Sequence, residues 1–313
     1  MKNAIENLFK SLLIVIKNID RVLFASLLSY DSYFSFHKTI GFPLLRLTFR
    51  VSNGYWANLK FPQTFNEKIV FSKIFQRDSR LPIICDKYTV REYVKNKVGS
   101  RYLIPIIFAA DSASDITPSK IGNRFIMKAS HASGRNFIVK NEKKEFDFLI
   151  DKANLWLKEK YKFQHLLWFA QKMKPRIIFE ELLIDENSKV PKDYKFFVFN
   201  GKIEFIQVDN DRFEKHTRCL YDANWNLLDI RYQYARGHFE EPPSKFEEMK
   251  RLAIELGKEF SFIRVDLYCH KDKIYFGELT PYPSSGYGKF SDSEFDKYLG
   301  KLFDIGKNSQ QLC

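Results

Sequence analysis

At 313 residues the chain is long enough for a sizeable core divided into two or three subdomains, and 45% hydrophobic with 16% aromatic content excludes a mainly disordered protein. The net charge of +13 points to an anionic partner, yet its cations are interspersed with acids. No basic run of the arm or nuclear-localisation type occurs, so nothing but net charge argues for nucleic acid.

Cys85, Cys219, Cys269 and Cys313 are far apart and form no CxxC, which argues against a disulfide framework or zinc site and for a reducing cytosol. Residues 1–60 carry eight Lys/Arg against three Asp/Glu and include the apolar runs 12–16 and 22–28. Lys10, Lys17, Asp20, Arg21 and Asp31 keep these runs below the roughly 18 residues of a spanning helix. Lys17 also cuts the apolar stretch of a signal peptide, and no clean cleavage site follows. Two readings stay open for this helical segment. It packs on the domain behind it, or it lies as an anchor on the anionic inner face of the cell membrane.

Residues 62–75 have helical periodicity, with Thr64 and Glu67 at capping-box spacing. A second helix is expected from Asp86, as N-cap, to just before Gly99. Residues 102–110 read as a strand and 111–119 as a loop. Two strands, FIMKA and FIVK, then flank Ser130, His131, Ser133, Gly134 and Asn136. Exposed backbone N–H groups in such a flap, with Lys128 beside them, suit phosphate oxygens, although a plain solvated hairpin tip reads the same way. No Walker A sequence is present.

A helix is expected around residues 153–159, and residues 175–184 read as a strand whose apolar run meets Glu180 and Glu181. Strands 193–199 and 202–208 turn at Asn200-Gly201, the strongest hairpin signal in the chain. Asp209, Arg212, His216 and Arg218 follow, as an anion-binding cluster or a structural ion-pair network. His165, His238, Trp156, Trp168 and Trp225 read as packing or surface residues. A helix over 246–260 leads into FIRVDLY and KIYFGEL, which a polar turn at 270–273 closes into a hairpin. Period two puts Arg264, Asp266 and Tyr268 on one face of the first strand, and Phe276, Glu278 and Thr280 together on one face of the second. Folding about the turn brings Asp266 and Glu278 to within about one residue of direct opposition. Neighbouring carboxylates repel unless a cation lies between them, and an all-oxygen donor set suits Mg²⁺. A solvated hairpin with Asp266 paired to Arg264 is the plainer reading.

The segments CDKYTVREYV, FIMKASHASGRN, EELL, DYKFFVFNG, RVDLY and FGELTPYPSSG, in that order, resemble the ATP-grasp superfamily. More narrowly they resemble its TupA-like branch, named for teichuronopeptide and capsular polysaccharide biosynthesis, over residues 62–304. The resemblance implies an α+β fold in which two lobes with antiparallel sheets sandwich ATP, preceded by the helical segment 1–60. Its subdomains would be 61–122, a lid and central part at 123–185, and 186–313 with the Mg²⁺ site. By the same resemblance Lys87 and Lys128 contact the phosphates, and the loop bearing Ser130, His131, Ser133 and Gly134 closes over them. Glu180, with the backbone of Glu181, Leu182 and Leu183, reads adenine, while Asp193 and Lys195 lie near ribose and phosphates. Asp266 and Glu278 hold Mg²⁺, Arg264 stabilises the transferred phosphoryl group together with Lys128 and Lys195, and Ser284, Ser285 and Gly286 approach the substrate. Many ATP-grasp enzymes have Asn two residues after the metal-binding Glu; here that position is Thr280, a weaker ligand.

The activity implied is an ATP-dependent carboxylate–amine ligation through an acyl phosphate. The partners are a small amine and an acidic glycan or sugar-nucleotide acceptor whose uronic acid supplies the carboxylate. A sugar kinase on the same nucleotide site and a non-catalytic glycan-assembly protein are the rival expectations.

Overall fold

The computed structural model describes residues 29–140, 146–159, 166–185, 190–210 and 216–306, together with 11, 14–16, 18 and 20. Arg212, His165, Cys313 and the run 22–28 lie outside the described residues, and the run 12–16 lies only partly within them. Among the described residues no helix is long and apolar enough to cross a membrane.

Helices α1 (Tyr30–Thr39), α2 (Pro43–Asn53) and α3 (Phe65–Phe75) open the described chain. Tyr33, Phe42, Leu45 and Phe49 from the first two bury against Val70 and Ile74 of α3, so residues 30–53 take the packing alternative. The capping box of α3 forms as its spacing predicts. Thr64 Oγ1 accepts from Glu67 N, and the Glu67 carboxylate accepts from the backbone N–H of Asn58, Gln63 and Thr64. After the single turn α4 (Leu81–Ile84), α5 (Val90–Val98) starts four residues later than the sequence suggests. Asp86 still opens it, because its Oδ1 accepts from Tyr88 N and Thr89 N and shapes the preceding turn.

Strand β1 (Ile106–Ala110), the turn α6 (Pro118–Ile121), β2 (Arg124–Ala129), β3 (Asn136–Lys140), α7 (Phe146–Lys158) and β4 (Ile177–Glu180) form the first layer pair. Its antiparallel sheet has the order β1-β4-β2-β3. One face, with Phe125, Met127, Val139 and Phe179, buries Leu149, Ala153 and Trp156 of α7. The other face carries Ile126, Lys128, Ile178 and Glu180, since Lys128 pairs with Ile178 and Ile126 with Glu180.

The second sheet, β7-β6-β5-β8-β9, is also antiparallel. It comprises β5 (Asp193–Phe199), β6 (Lys202–Asn210), β7 (Thr217–Tyr221), β8 (Phe262–His270) and β9 (Lys273–Thr280). Phe196, Val198, Ile206, Val208, Val265 and Leu267 cover one face and pack on Met249, Leu252 and Leu256 of α8 (Phe246–Gly257). The opposite face is divided. Its first half is aromatic: Phe197, Phe199, Phe205 and Phe262 bury against Phe65 of α3 and Leu299 of α9 (Ser293–Leu302). The second half is the polar row described below.

Both hairpins turn where expected, with positive φ at Asn200 and Gly201 and at Lys271 and Asp272. One expectation fails. A bulge at Gly277 pairs Phe276 with Leu267, so Phe276 enters the core beneath α8 while Glu278 stays on the polar face.

Gly300 fixes how closely α9 crosses the entry to α3: an added Cβ would stand 2.0 Å from Gln63 O, a backbone atom that cannot swing away. Gly300→Ala is therefore expected to cost at least about 2 kcal/mol by overpacking. Urea unfolding measures this directly, and an unchanged midpoint would contradict the contact.

Candidate active site

The strand pairing lays Gln207, Lys195, Asp266 and Glu278 in one row across β6, β5, β8 and β9. Asp193, Asp209, Arg218, Arg264 and Thr280 flank that row on the same face, because each lies two residues along from a row member or opposite one that does. Asp266 and Glu278 are direct partners, one step closer than the turn alone implies.

A cation does lie between them, and it belongs to the protein. Arg264 donates from Nε to Asp266 Oδ1 and from Nη2 to Asp266 Oδ2, both at 2.7 Å, and the same Nη2 reaches Glu278 Oε1 at 2.7 Å and Thr280 Oγ1 at 3.0 Å. Lys195 Nζ donates to Asp266 Oδ2 at 2.5 Å and also to Asp193. Burial pushes the Asp266 carboxyl up to about 6 against the pull of Arg264 and Lys195. For Glu278 the balance reverses: burial raises it, but Arg264, Lys195 and Lys87 hold it down to about 2. Its carboxylate is ringed by protein yet open to the cleft, with 48% of the side chain accessible.

Facing this row is the polar side of the first sheet and the loop after β2. Lys128 Nζ donates to Glu180 Oε2 at 2.6 Å, and Arg91 lies 3.6 Å from the other Glu180 oxygen. Lys87 Nζ donates to the carbonyls of Ala132 and Ala129 at 2.5 and 3.2 Å, and burial lowers its pKa. Ser130 is fully buried, donating to Asp86 Oδ2 at 2.7 Å, while its carbonyl accepts from Lys87 N. Arg135 forks onto Glu159 at 2.5 and 2.6 Å, tying the loop to the end of α7. His131 is buried with neither ring nitrogen hydrogen-bonded, and burial keeps its pKa below the ordinary value.

Between the two faces lie cavities of about 470 and 520 Å³ that share Lys87, Ser133, Arg135, Arg264, Glu278 and Ser284, so they are parts of one cleft. Lys87, Lys128, Arg135, Lys195, Arg218 and Arg264 line the first, against Asp193, Asp209 and Glu278, an excess of positive charge suited to a polyphosphate. His216 and Arg218 join the same cavity through Asp209, which lies 3.3 and 2.6 Å from them. Ser284 and Ser285 line the second.

Several expected site residues stand back from the cleft. Gly286 packs on α3: its carbonyl accepts from Asn53 Nδ2 at 3.1 Å, and a Cβ there would meet Val70 at 2.7 Å. Glu180 is buried under Lys128, Leu182 is buried, and the Glu181 N–H is engaged by Pro105 O; Leu183 follows them outside both cavity linings. Asp266 is 1% exposed with both oxygens bonded.

Sequence reasoning missed Asp86, Arg91, Arg135, Gln207 and Gln233. Gln207 donates to both oxygens of Asp209, and Gln233 accepts from Arg218 and Ser284. The alternation of Gln207 with Asp209, which repeats that of Asp193 with Lys195 on the paired strand, was the available signal for the former.

The donor set suits a hard ion: Glu278 Oε2 takes no hydrogen bond among the described residues and faces the cleft, with Thr280 Oγ1 beside it. Magnesium commonly takes one or two carboxylates plus substrate phosphates, so Glu278 is the open ligand and Asp266 is shared with Arg264 and Lys195.

Two α+β layers closing on a polar cleft, with lysines on one side and a carboxylate row on the other, form the ATP-grasp fold. A sequence model of the TupA-like ATPgrasp family matches residues 67–304, and the chain belongs to that family. Similar solved structures include a D-alanine–D-alanine ligase from Bacillus anthracis, 15% identical with a TM-score of 0.39, where the match covers 64% of this chain and 57% of that one. A second, from Helicobacter pylori, is 17% identical with a TM-score of 0.42, covering 79% and 68%. An N5-carboxyaminoimidazole synthase from Aspergillus clavatus, in complex with ADP, is 13% identical with a TM-score of 0.39, covering 75% and 55%. The chain thus spans little more than half the length of the Bacillus and Aspergillus proteins. No curated protein matches it.

Arg264→Met removes the cation between Asp266 and Glu278 and is expected to destabilise the protein by about 3–5 kcal/mol, as for a buried pair that loses one partner. Added Mg²⁺ should recover part of that loss and raise the melting temperature of the variant more than that of the wild type. Equal shifts in the two proteins would show that the carboxylate pair takes no metal.

Proposed function

We propose that the protein is an ATP-dependent carboxylate–amine ligase that acts on a uronic acid of an acidic glycan or sugar nucleotide. The observation that carries this reading is the Lys195–Asp266–Arg264–Glu278 row facing Lys87 and Lys128 across the charged cleft. Family membership supports the nucleotide, and the net charge of +13 suits an acidic glycan.

ATP enters as a substrate. A carboxylate oxygen attacks its γ-phosphorus, the bond to the β-bridging oxygen breaks, and ADP leaves. An amine nitrogen then attacks the acyl carbon, the carbon–oxygen bond to phosphate breaks, inorganic phosphate departs, and the amine proton passes to solvent. Lys87 and Lys128 exchange their carbonyl and carboxylate partners for phosphate oxygens, which desolvated cations favour. Lys195 and Arg264, held rigidly by Asp193, Asp266 and Glu278, offer fixed positive charge where the transferred phosphoryl group gathers negative charge. Mg²⁺ held by Glu278 and Asp266, with Thr280 beside them, would supply further neutralisation of the phosphates. The loop from Ser130 to Asn136, anchored by Lys87 and the Arg135–Glu159 fork, covers the site and excludes water from a hydrolysable acyl phosphate.

Hydroxylamine tests this reading, because it traps an acyl phosphate as a hydroxamate and leaves a phosphate ester untouched. With Mg·ATP and a uronic-acid glycan, the wild type should give ADP and hydroxamate together. Lys128→Ala and Glu278→Gln should each lower hydroxamate formation by about 100-fold or more, the usual effect of removing a preorganised charge. ADP release without hydroxamate would replace the ligase with a sugar kinase.

A further inference from the structure

A separate cavity of about 300 Å³ lies beyond the Ser284–Ser285 wall, between α1, α2 and α3. Those two serines line both this cavity and the cleft that holds Arg264 and Glu278, so the wall between the compartments is two residues thick. Both serines adopt left-handed φ, 50° and 54°, a conformation that costs a non-glycine residue energy and persists where the surroundings impose it.

The far compartment is apolar on one side, where Leu45 and Tyr287 contribute, and polar on the other, where Tyr33 and His37 share Asp20. Lys73 supplies its fixed positive charge, and no carboxylate is among the described residues lining it. Lys73 is 1% exposed; its ammonium donates to Ser285 O at 3.3 Å and lies 4.8 Å from the Tyr287 ring centroid. A cation buried this deeply, against the wall of a reaction chamber, attracts an anionic group of a small ligand.

On the ligase reading, we infer that this compartment binds the amine substrate and that the amine is a free amino acid. Its carboxylate meets Lys73, its side chain occupies the space beside Leu45 and Tyr287, and its nitrogen points past Ser284 and Ser285 towards the activated carboxyl group. The short span between Lys73 and Ser285 matches the one-carbon separation of carboxylate and amine in an α-amino acid.

The experiment uses the full chain and pairs of probes that differ only in the carboxylate: alanine with ethylamine, serine with ethanolamine, lysine with cadaverine. Calorimetry in the presence of Mg²⁺ and a non-hydrolysable ATP analogue should show binding of at least one amino acid, at least tenfold tighter than its decarboxylated partner. Lys73→Met should remove that preference. Leu45→Trp, which fills the compartment and retains Lys73, should weaken the same amino acid at least tenfold, and the affinity for the ATP analogue should stay unchanged in both variants. Equal binding of the paired probes, binding of none of them, or retained amino acid binding in both variants would overturn the inference. A wild type that binds the amino acid through Lys73 yet yields no hydroxamate would uphold the compartment and overturn the ligase reading.

Discussion

The Arg264 guanidinium is the constraint on which the site depends. Asp266 is buried and Glu278 stands directly opposite it, a placement that two negative charges reach only with a cation between them. Arg264 answers both carboxylates and the Thr280 hydroxyl from one planar group, and Lys195 completes the set around Asp266. Such a network has two consequences. Its positive groups are held where a phosphoryl group would arrive, and its most open carboxylate, Glu278, remains available to a metal. The same residues therefore hold the sheet together and present the charges that phosphate chemistry needs.

The position of this network follows from the way the second sheet divides its labour. One face is wholly apolar and rests on α8; the other is aromatic at one end and ionic at the other. Phe197 stands two residues from Lys195 on the same strand and stacks on Phe205 with ring centroids 4.0 Å apart. The aromatic half, covered by α3 and α9, anchors the sheet firmly enough for the ionic half to stay open to the cleft.

Across the cleft the first sheet offers charge of a different kind. Lys87 and Lys128 are held by neutral carbonyls and by Glu180 respectively, so both ammonium groups are partly desolvated before any ligand arrives. The loop between β2 and β3 is stitched to residues 86 and 87 by the Ser130 hydroxyl, the Ser130 carbonyl and the Lys87 side chain. Movement of that loop and a change of partner at Lys87 are thereby mechanically linked.

Much of this was written locally in the chain. The capping box at Thr64 and Glu67, the Asn200-Gly201 turn, the alternation of Asp193 with Lys195 and the Arg264–Asp266 pair on one strand face all act within a few residues, where periodicity and turn chemistry decide. Register was decided elsewhere. The turn at 200–201 alone would set Lys195 against Ile206, and the turn at 271–272 alone would set Asp266 against Gly277. A bulge between Phe197 and Val198 brings Gln207 opposite Lys195, and one at Gly277 brings Glu278 opposite Asp266. Each bulge turns a flanking apolar residue into a core, and burial of those residues selects it. The burial of Asp266, the retreat of Gly286 onto α3 and the compartment around Lys73 arise from segments up to two hundred residues apart. The sequence thus determined which charges the protein carries and on which strands; only packing between distant elements decided which of them meet, because contact between remote side chains follows from how the cores close and not from local spacing.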